Sequence, residues 1–388
     1  MTGNSRARVT QFAPLLAFLL LSWPGTSAVS AEPADGGKIS IHRQYEQLEM
    51  ALERYRRIME TGGWPAIPEG PTIRPGSLDP RITALARRLR ASGDLEGDGQ
   101  EFLGYDDVLQ AAVLRFQSRH GLDPDALVGR NTLRALNVSA GQRVEQIRLA
   151  LDRSRRIFET ERSDFVLINV PAFEVYLVRA GETVWTSKVV VGETEAETPI
   201  FEATMRQVVL NPTWTVPHSI ASEELLPKIK QDPGFLSRGG YELRDREGNP
   251  VDPLGVDWSS LHEHYFPFTL VQQSGPVNEL GRVKFLFPND YGVCMHDTPS
   301  KHLFARYVRA FSHGCIRLDQ PVDFAAELLS TEGWSREQID AQLESTETRS
   351  VTLEEPLPVV ITYMTTAVDE AGAVYFYRDI YAKDAMVN

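Results

Sequence analysis

The chain has 388 residues and carries 53 aspartates and glutamates against 40 lysines and arginines, a net charge of −13. That length allows a catalytic domain with one or two smaller modules, and the acidic balance excludes nucleic acid as a partner, because phosphates demand a basic face. Only two cysteines occur, Cys294 and Cys315, too few for a disulfide-built scaffold.

Residues 1–31 read as a signal peptide. Arg6 and Arg8 form a positive start, Phe12 to Trp23 an apolar core, and Val29-Ser30-Ala31 a small-residue cleavage site. Pro24 and Gly25 end the apolar run well short of the roughly 20 residues that a membrane span needs. Cleavage would remove two arginines and no acid, taking the charge to −15. The alternative is retention as an uncleaved anchor.

Residues 39–92 are expected to form a helical amino-terminal part. Tyr45, Leu48, Leu52, Tyr55 and Met59 recur at steps of three and four, and Gly62-Gly63 supplies the stop. A second helix is predicted over 81–92 and a third over 106–119, with Val108, Leu109, Ala112, Val113 and Phe116 facing inward. His120-Gly121-Leu122, Val128-Gly129 and a short helix over 132–136 complete a unit at 80–138. A connecting helix is predicted within 141–160.

From Phe165 the period changes to that of strands. Residues 165–170, 173–178, 183–191 and 208–216 are short apolar and β-branched runs of strand type, with turns at Gly181 and Gly192. Short strands at this spacing suggest a sandwich-like β domain over 163–385. Between about 218 and 276 the pattern breaks into a helix at 222–229, polar turns and aromatics, which reads as an insertion. Strands resume at 283–287 and 291–296, a helix follows at 321–329, and the tail returns to strand at 359–364 and 374–377. The fold class is therefore multidomain α+β: helical in front, mainly β behind.

The chemistry concentrates in Ser312-His313-Gly314-Cys315-Ile316-Arg317, with His296 nineteen positions before the cysteine. A thiol needs a base, since a free cysteine with a pKa of about 8.5 is mostly protonated at neutral pH, and an imidazole is the common partner. His296 is the first assignment for that base; His313, two residues from Cys315, either takes that role instead or orients the site by a hydrogen bond. In the run Tyr291 to His296, Cys294 and His296 share one face of a strand while Val293 and Met295 share the other. A structural disulfide between the two cysteines is the bland reading of that pair. Arg317 can pair with Asp319 or Asp323 on the surface, and Ser312 can be a substrate contact or a turn cap. A zinc set drawn from His262, His264, His296, His302 and Asp297 is the rival from another class, although no His-Glu-x-x-His helix supports it. No metal or organic cofactor is called for.

Two stretches carry a family resemblance. Phe116-Gln117-x-x-His120-Gly121-Leu122 through Val128-Gly129-x-x-Thr132-Leu133 to Leu136-Asn137 resembles the three-helix peptidoglycan-binding domain of wall enzymes. Met295-His296-Asp297-Thr298-Pro299 followed by Ser312-His313-Gly314-Cys315-Ile316-Arg317 resembles the catalytic signature of the YkuD-type L,D-transpeptidases. Val189 to Gly192, Thr198-Pro199, Asn211-Pro212-x-Trp214 and Gly62-Gly63-Trp64-Pro65 extend the likeness to the larger Gram-negative members. The resemblance implies a periplasmic enzyme in which Cys315 forms a thioester on a tetrapeptide stem of peptidoglycan, releases D-Ala, and passes the acyl group to a diamino-acid amine of a second stem, making a 3→3 cross-link. It implies His296 as base, Gly314 and Cys315 N–H groups as oxyanion donors, Arg317 on a carboxylate, and acylation by carbapenems. An L,D-carboxypeptidase or hydrolase would use the same cysteine with water as acceptor. A non-catalytic wall-binding protein is the remaining alternative.

Overall fold

The computed structural model describes residues 39–97, 101–158, 162–232 and 234–385; the predicted signal peptide lies outside them. Among the described residues no helix is long and apolar enough to cross a membrane.

The first helix, Gln44–Glu60, lies against Ala140–Phe158 through Leu48, Ala51, Tyr55, Val144, Ile147 and Ala150. Its buried stripe differs from the predicted one: Met59 is exposed, while the polar Gln44 and Gln47 are buried. Both glutamines reach the carboxy-terminal hairpin, where Gln44 Nε2 donates to Val368 O (2.5 Å) and Gln47 Nε2 to Asp369 O (3.0 Å). Buried amides with satisfied hydrogen bonds are tolerated, so this helix shares a core with Phe165, Tyr176 and Phe376 of the β region.

Helices Ile82–Ala91, Asp107–Arg119 and Arg130–Leu136 form the small module around Leu85, Leu109, Phe116, Val128 and Leu136. Asp106 caps the middle helix by accepting from Leu109 N–H (2.9 Å). Val108 is exposed rather than inward, because the apolar stripe begins one residue later.

Nine strands of the β region form one sheet that closes on itself, and Thr366–Val368 pairs with Val374–Phe376 in a separate hairpin. The long strand Glu182–Gly192 pairs along its first half with Glu174–Arg179 and along its second half with Ile316–Leu318 and Ala310–Ser312. The circuit continues through Met295–His296, Val283–Leu286, Glu202–Leu210, Arg349–Thr362 and Phe165–Asn169. Val166, Ile168, Val191, Val208, Phe285 and Ile361 fill the interior, and helices Pro321–Leu329 and Arg336–Glu344 add Phe324, Leu328 and Ile339. The predicted strand at 208–216 is two strands. Asn211, at φ +50, breaks it and donates Nδ2 to Gln342 O (2.9 Å). The predicted strand at 291–296 is strand only at Met295–His296; its beginning is a turn folded over the side chain of Asn289.

The insertion has its own core of Leu226, Ile229, Leu243, Trp258, Phe266 and Leu270. Its helix runs as a π-helical stretch, Ile220–Leu225, into Leu226–Gln231. It also holds a four-stranded antiparallel sheet that the broken sequence pattern does not predict: Trp214–Thr215, Thr269–Gln272, Tyr241–Arg244 and Pro250–Val251.

Candidate active site

Cys315 sits at a turn between strands Ala310–Ser312 and Ile316–Leu318. Gly314 just before it has φ +103, a conformation that side-chain-bearing residues rarely adopt. A Cβ there would meet nothing closer than Glu197 O at 3.6 Å, so backbone conformation rather than crowding selects glycine. Ser312 Oγ accepts from Gly314 N–H (3.2 Å) and donates to Cys315 O (2.5 Å). Ser312 is thus a turn cap, and the Gly314 N–H expected among the oxyanion donors is already engaged.

The turn is clamped from behind. Thr198, fully buried, donates Oγ1 to Gly314 O (2.9 Å) and accepts from Gly192 N–H (2.8 Å). Tyr381 of the tail donates its hydroxyl to Gly192 O (2.5 Å). Thr198 has no periodic signature in the sequence; only its place beside Pro199 in the family pattern marks it.

His296 lies on the strand next to that of Arg317, in parallel register. Val293 and Met295 enter the core while Cys294 and His296 face Cys315, as the alternation requires. One ring nitrogen of His296 and the sulfurs of Cys294 and Cys315 lie within 4.8 Å of one another. His296 Nδ1 lies 2.5 Å from Asp297 O. A carbonyl only accepts, so Nδ1 carries the proton and Nε2 keeps a lone pair. Asp297 is fixed by Arg282 N–H (2.8 Å), Thr298 N–H (2.7 Å) and Lys301 Nζ (2.7 Å) on its carboxylate. Burial pushes the imidazole pKa down to about 3, leaving the ring neutral and able to accept a proton.

The two cysteines are not bonded to each other in this structure. Their sulfurs stand 3.5 Å apart, and Cys294 N–H also points at Cys315 Sγ (3.4 Å). The hydrogen bond from Cys294 holds the Cys315 thiol below its ordinary value, and the same bond, with burial, pushes Cys294 up.

Two sequence alternatives fail on geometry. His313 points away, its Nε2 3.0 Å from Glu224 Oε1 of the insertion, and it is half exposed while His296 is buried at the thiol. Arg317 pairs with neither Asp319 nor Asp323: Asp323 is held by Arg336 at 2.5 Å, and Arg317 Nε is buried without a hydrogen-bond partner among the described residues. Glu279 is the acid whose charge acts on Arg317. Among the described residues, Cys294, His296 and Cys315 form the one cluster with metal-ligand geometry. His262, His264, His302 and Asp297 do not join it, so the rival zinc set is not assembled.

Residues 163–351 match the YkuD family, described as the L,D-transpeptidase catalytic domain, and residues 79–136 match the "Putative peptidoglycan binding domain". A "Putative L,D-transpeptidase" of Haemophilus influenzae is 33% identical over 241 residues, 62% of this chain and 49% of that relative. The chain thus spans about half the length of the curated relative it matches. Among solved structures, the catalytic domain of an Enterococcus faecium L,D-transpeptidase is 14% identical, covering 52% of this chain and 100% of that one at a TM-score of 0.25. An L,D-transpeptidase from Xylanimonas cellulosilytica is 14% identical, covering 76% and 99% at a TM-score of 0.23.

Proposed function

From an L,D-transpeptidase catalytic domain joined to a peptidoglycan binding domain, we propose that Cys315 is the nucleophile of a periplasmic enzyme that makes 3→3 cross-links. The observation that carries this reading is the gathering of Cys315 with a buried, neutral His296 whose proton sits on Nδ1 against Asp297 O. Cys315 Sγ attacks the carbonyl between the diamino acid and the terminal D-Ala of a tetrapeptide stem, and its proton passes to His296. An imidazole whose cation is disfavoured by burial holds that proton only in transit and yields it to the departing D-Ala amine. The amine of a second stem then displaces sulfur, with His296 taking and returning the proton once more. The Cys315 N–H is the donor we assign to the oxyanion, a role worth about 3 kcal/mol in comparable sites. Arg317, with a buried Nε that lacks a partner among the described residues, is poised for a substrate carboxylate, for which its planar fork suits it.

The test is mass spectrometry of products from disaccharide-tetrapeptide, wild type beside Cys315→Ala. Dimers with a 3→3 link, reduced at least ~10³-fold by the substitution, are expected, together with a carbapenem adduct on Cys315 of wild type alone. Tripeptide monomer without dimer would make the enzyme an L,D-carboxypeptidase. No product from either protein would leave the wall-binding reading.

A further inference from the structure

Cys294 has no part in the acyl transfer just described, yet its side chain lies against the nucleophile. Its sulfur is 3.5 Å from Cys315 Sγ and itself almost fully buried. The two residues precede a register pair, Met295 with Ile316, on adjacent parallel strands, and Ile316 N–H donates to Cys294 O (2.9 Å). Neighbouring strands stand about 4.8 Å apart, inside the Cα separation of about 4.4–6.8 Å that a disulfide accepts. The sulfurs need to approach by only about 1.5 Å to reach bonding distance.

We propose that Cys294 is a resolving thiol, and that the Cys294–Cys315 pair is a site of reversible disulfide formation that switches the nucleophile off. The oxidant is a small-molecule disulfide. The Cys315 thiolate attacks one sulfur of it, forming a mixed disulfide and expelling the first thiolate. Cys294 then attacks Cys315 Sγ, the mixed bond breaks, and the second small thiolate leaves, taking up the proton Cys294 has lost. Two protein thiols are oxidised by two electrons and one disulfide is reduced to two thiols. The arrangement suits this order of events. Cys315 is the more accessible sulfur and the one favoured as thiolate, while Cys294 is sequestered and waits for the mixed disulfide to bring an electrophilic sulfur to it. A small adduct on Cys315 is thereby cleared rather than carried onward to irreversible oxidation.

The proposal uses the Cys315 nucleophile of the function proposed above only for the statement that oxidation silences it. The full chain is reduced, freed of reductant and exposed to glutathione disulfide; intact mass, free-thiol count and cross-linking rate are then read, each rate against the same protein's reduced state. Wild type is expected to lose two hydrogens and both thiols, yield one linked peptide pair containing residues 294 and 315, lose its rate, and regain it with dithiothreitol. Cys294→Ser, which keeps a small buried donor, is expected to accumulate the glutathione adduct on Cys315 instead. A wild type that holds the glutathione adduct, stays reduced, or keeps its rate when the internal disulfide is present overturns the proposal. A disulfide that forms in a protein inactive on stem peptides even when reduced would strike the transpeptidase reading and leave the thiol pairing standing.

Discussion

The helical module and the Cys315 edge of the sheet each contain a His-Gly turn, His120-Gly121 and His313-Gly314, with both glycines at positive φ, +62 and +103. The backbones make a similar demand and the histidines meet opposite fates. His120 is buried, stacked between Phe116 (centroids 3.7 Å) and Phe376 (5.4 Å), with Nδ1 on Phe116 O at 2.7 Å. His313 stands half exposed and reaches across to Glu224. A turn that must reverse tightly selects glycine in both places, but the surroundings of the ring decide whether its histidine is core or contact. The first turn is also a joint. A Cβ on Gly121 would stand 3.3 Å from Arg378 N, and Tyr307, between His296 and Cys315 in sequence, donates its hydroxyl to Ser118 O at 3.0 Å. The family signature of the module is therefore spent, at this end, on docking to the β region.

Removing the buried ring should sharpen the contrast most. His120→Ala leaves an aromatic-sized hole between two rings, a change that costs about 3–5 kcal/mol for comparable core residues. Denaturant unfolding should show a lowered midpoint, while protein that remains folded keeps its turnover on soluble stem peptides. Unchanged stability would mean that the ring is not the packing element the geometry makes it.

Acid should come next. Burial holds His120 well below its ordinary value, aided by the charges of Arg143, Arg119 and Arg88, and holds His296 at about 3. Below pH 6.5 the unfolded chain binds protons at these two sites that the folded chain refuses, so stability is full above that value and falls as pH drops toward 3. The slope is at most about 1.4 kcal/mol per pH unit for each histidine. Urea midpoints at pH 7 and pH 5 should therefore diverge in wild type and diverge by about half as much in His120→Phe, which keeps a ring and loses the titration. Equal divergence in both proteins would remove His120 from the account.

How much of this was legible in sequence follows from how each signal is written. The strands at 165–191 and the order His296, Ser312 to Arg317 are readable because short apolar, β-branched runs between turns and a dense motif are local. The paired glutamines Gln44 and Gln47 were not, since a buried polar contact to residues more than 300 positions away leaves no periodicity. The insertion sheet was missed because two of its strands are only two residues long, Trp214–Thr215 and Pro250–Val251, and their pairings are distant. Thr198 was visible only as a family letter, though it fixes both Gly192 and Gly314. Cys294 was placed on the right face by alternation, but only coordinates bring its sulfur to that of Cys315.

His313 is where the smallest effect carries the finest distinction. Its contact with Glu224 is exposed at both ends, and such surface contacts contribute between nothing and about 1 kcal/mol. His313→Ala should leave the thermal midpoint nearly unchanged. The pair nevertheless ties the turn that holds Cys315 to the insertion, so losing it should slow acylation of Cys315 by stem peptide or carbapenem by about 3- to 10-fold, a deficit of about 1 kcal/mol. Glu224→Ala should show the same deficit, and the double variant no more than either alone, because contacting partners that act through one interaction are not additive. Two additive deficits would mean that each residue meets the substrate separately. A His313→Ala protein as inactive as Cys315→Ala, beside an active His296→Ala protein, would move the base from the buried ring to the exposed one. The buried ring has the geometry against it only if Asp297 O does not hold Nδ1, and that bond is what leaves Nε2 free to take the proton.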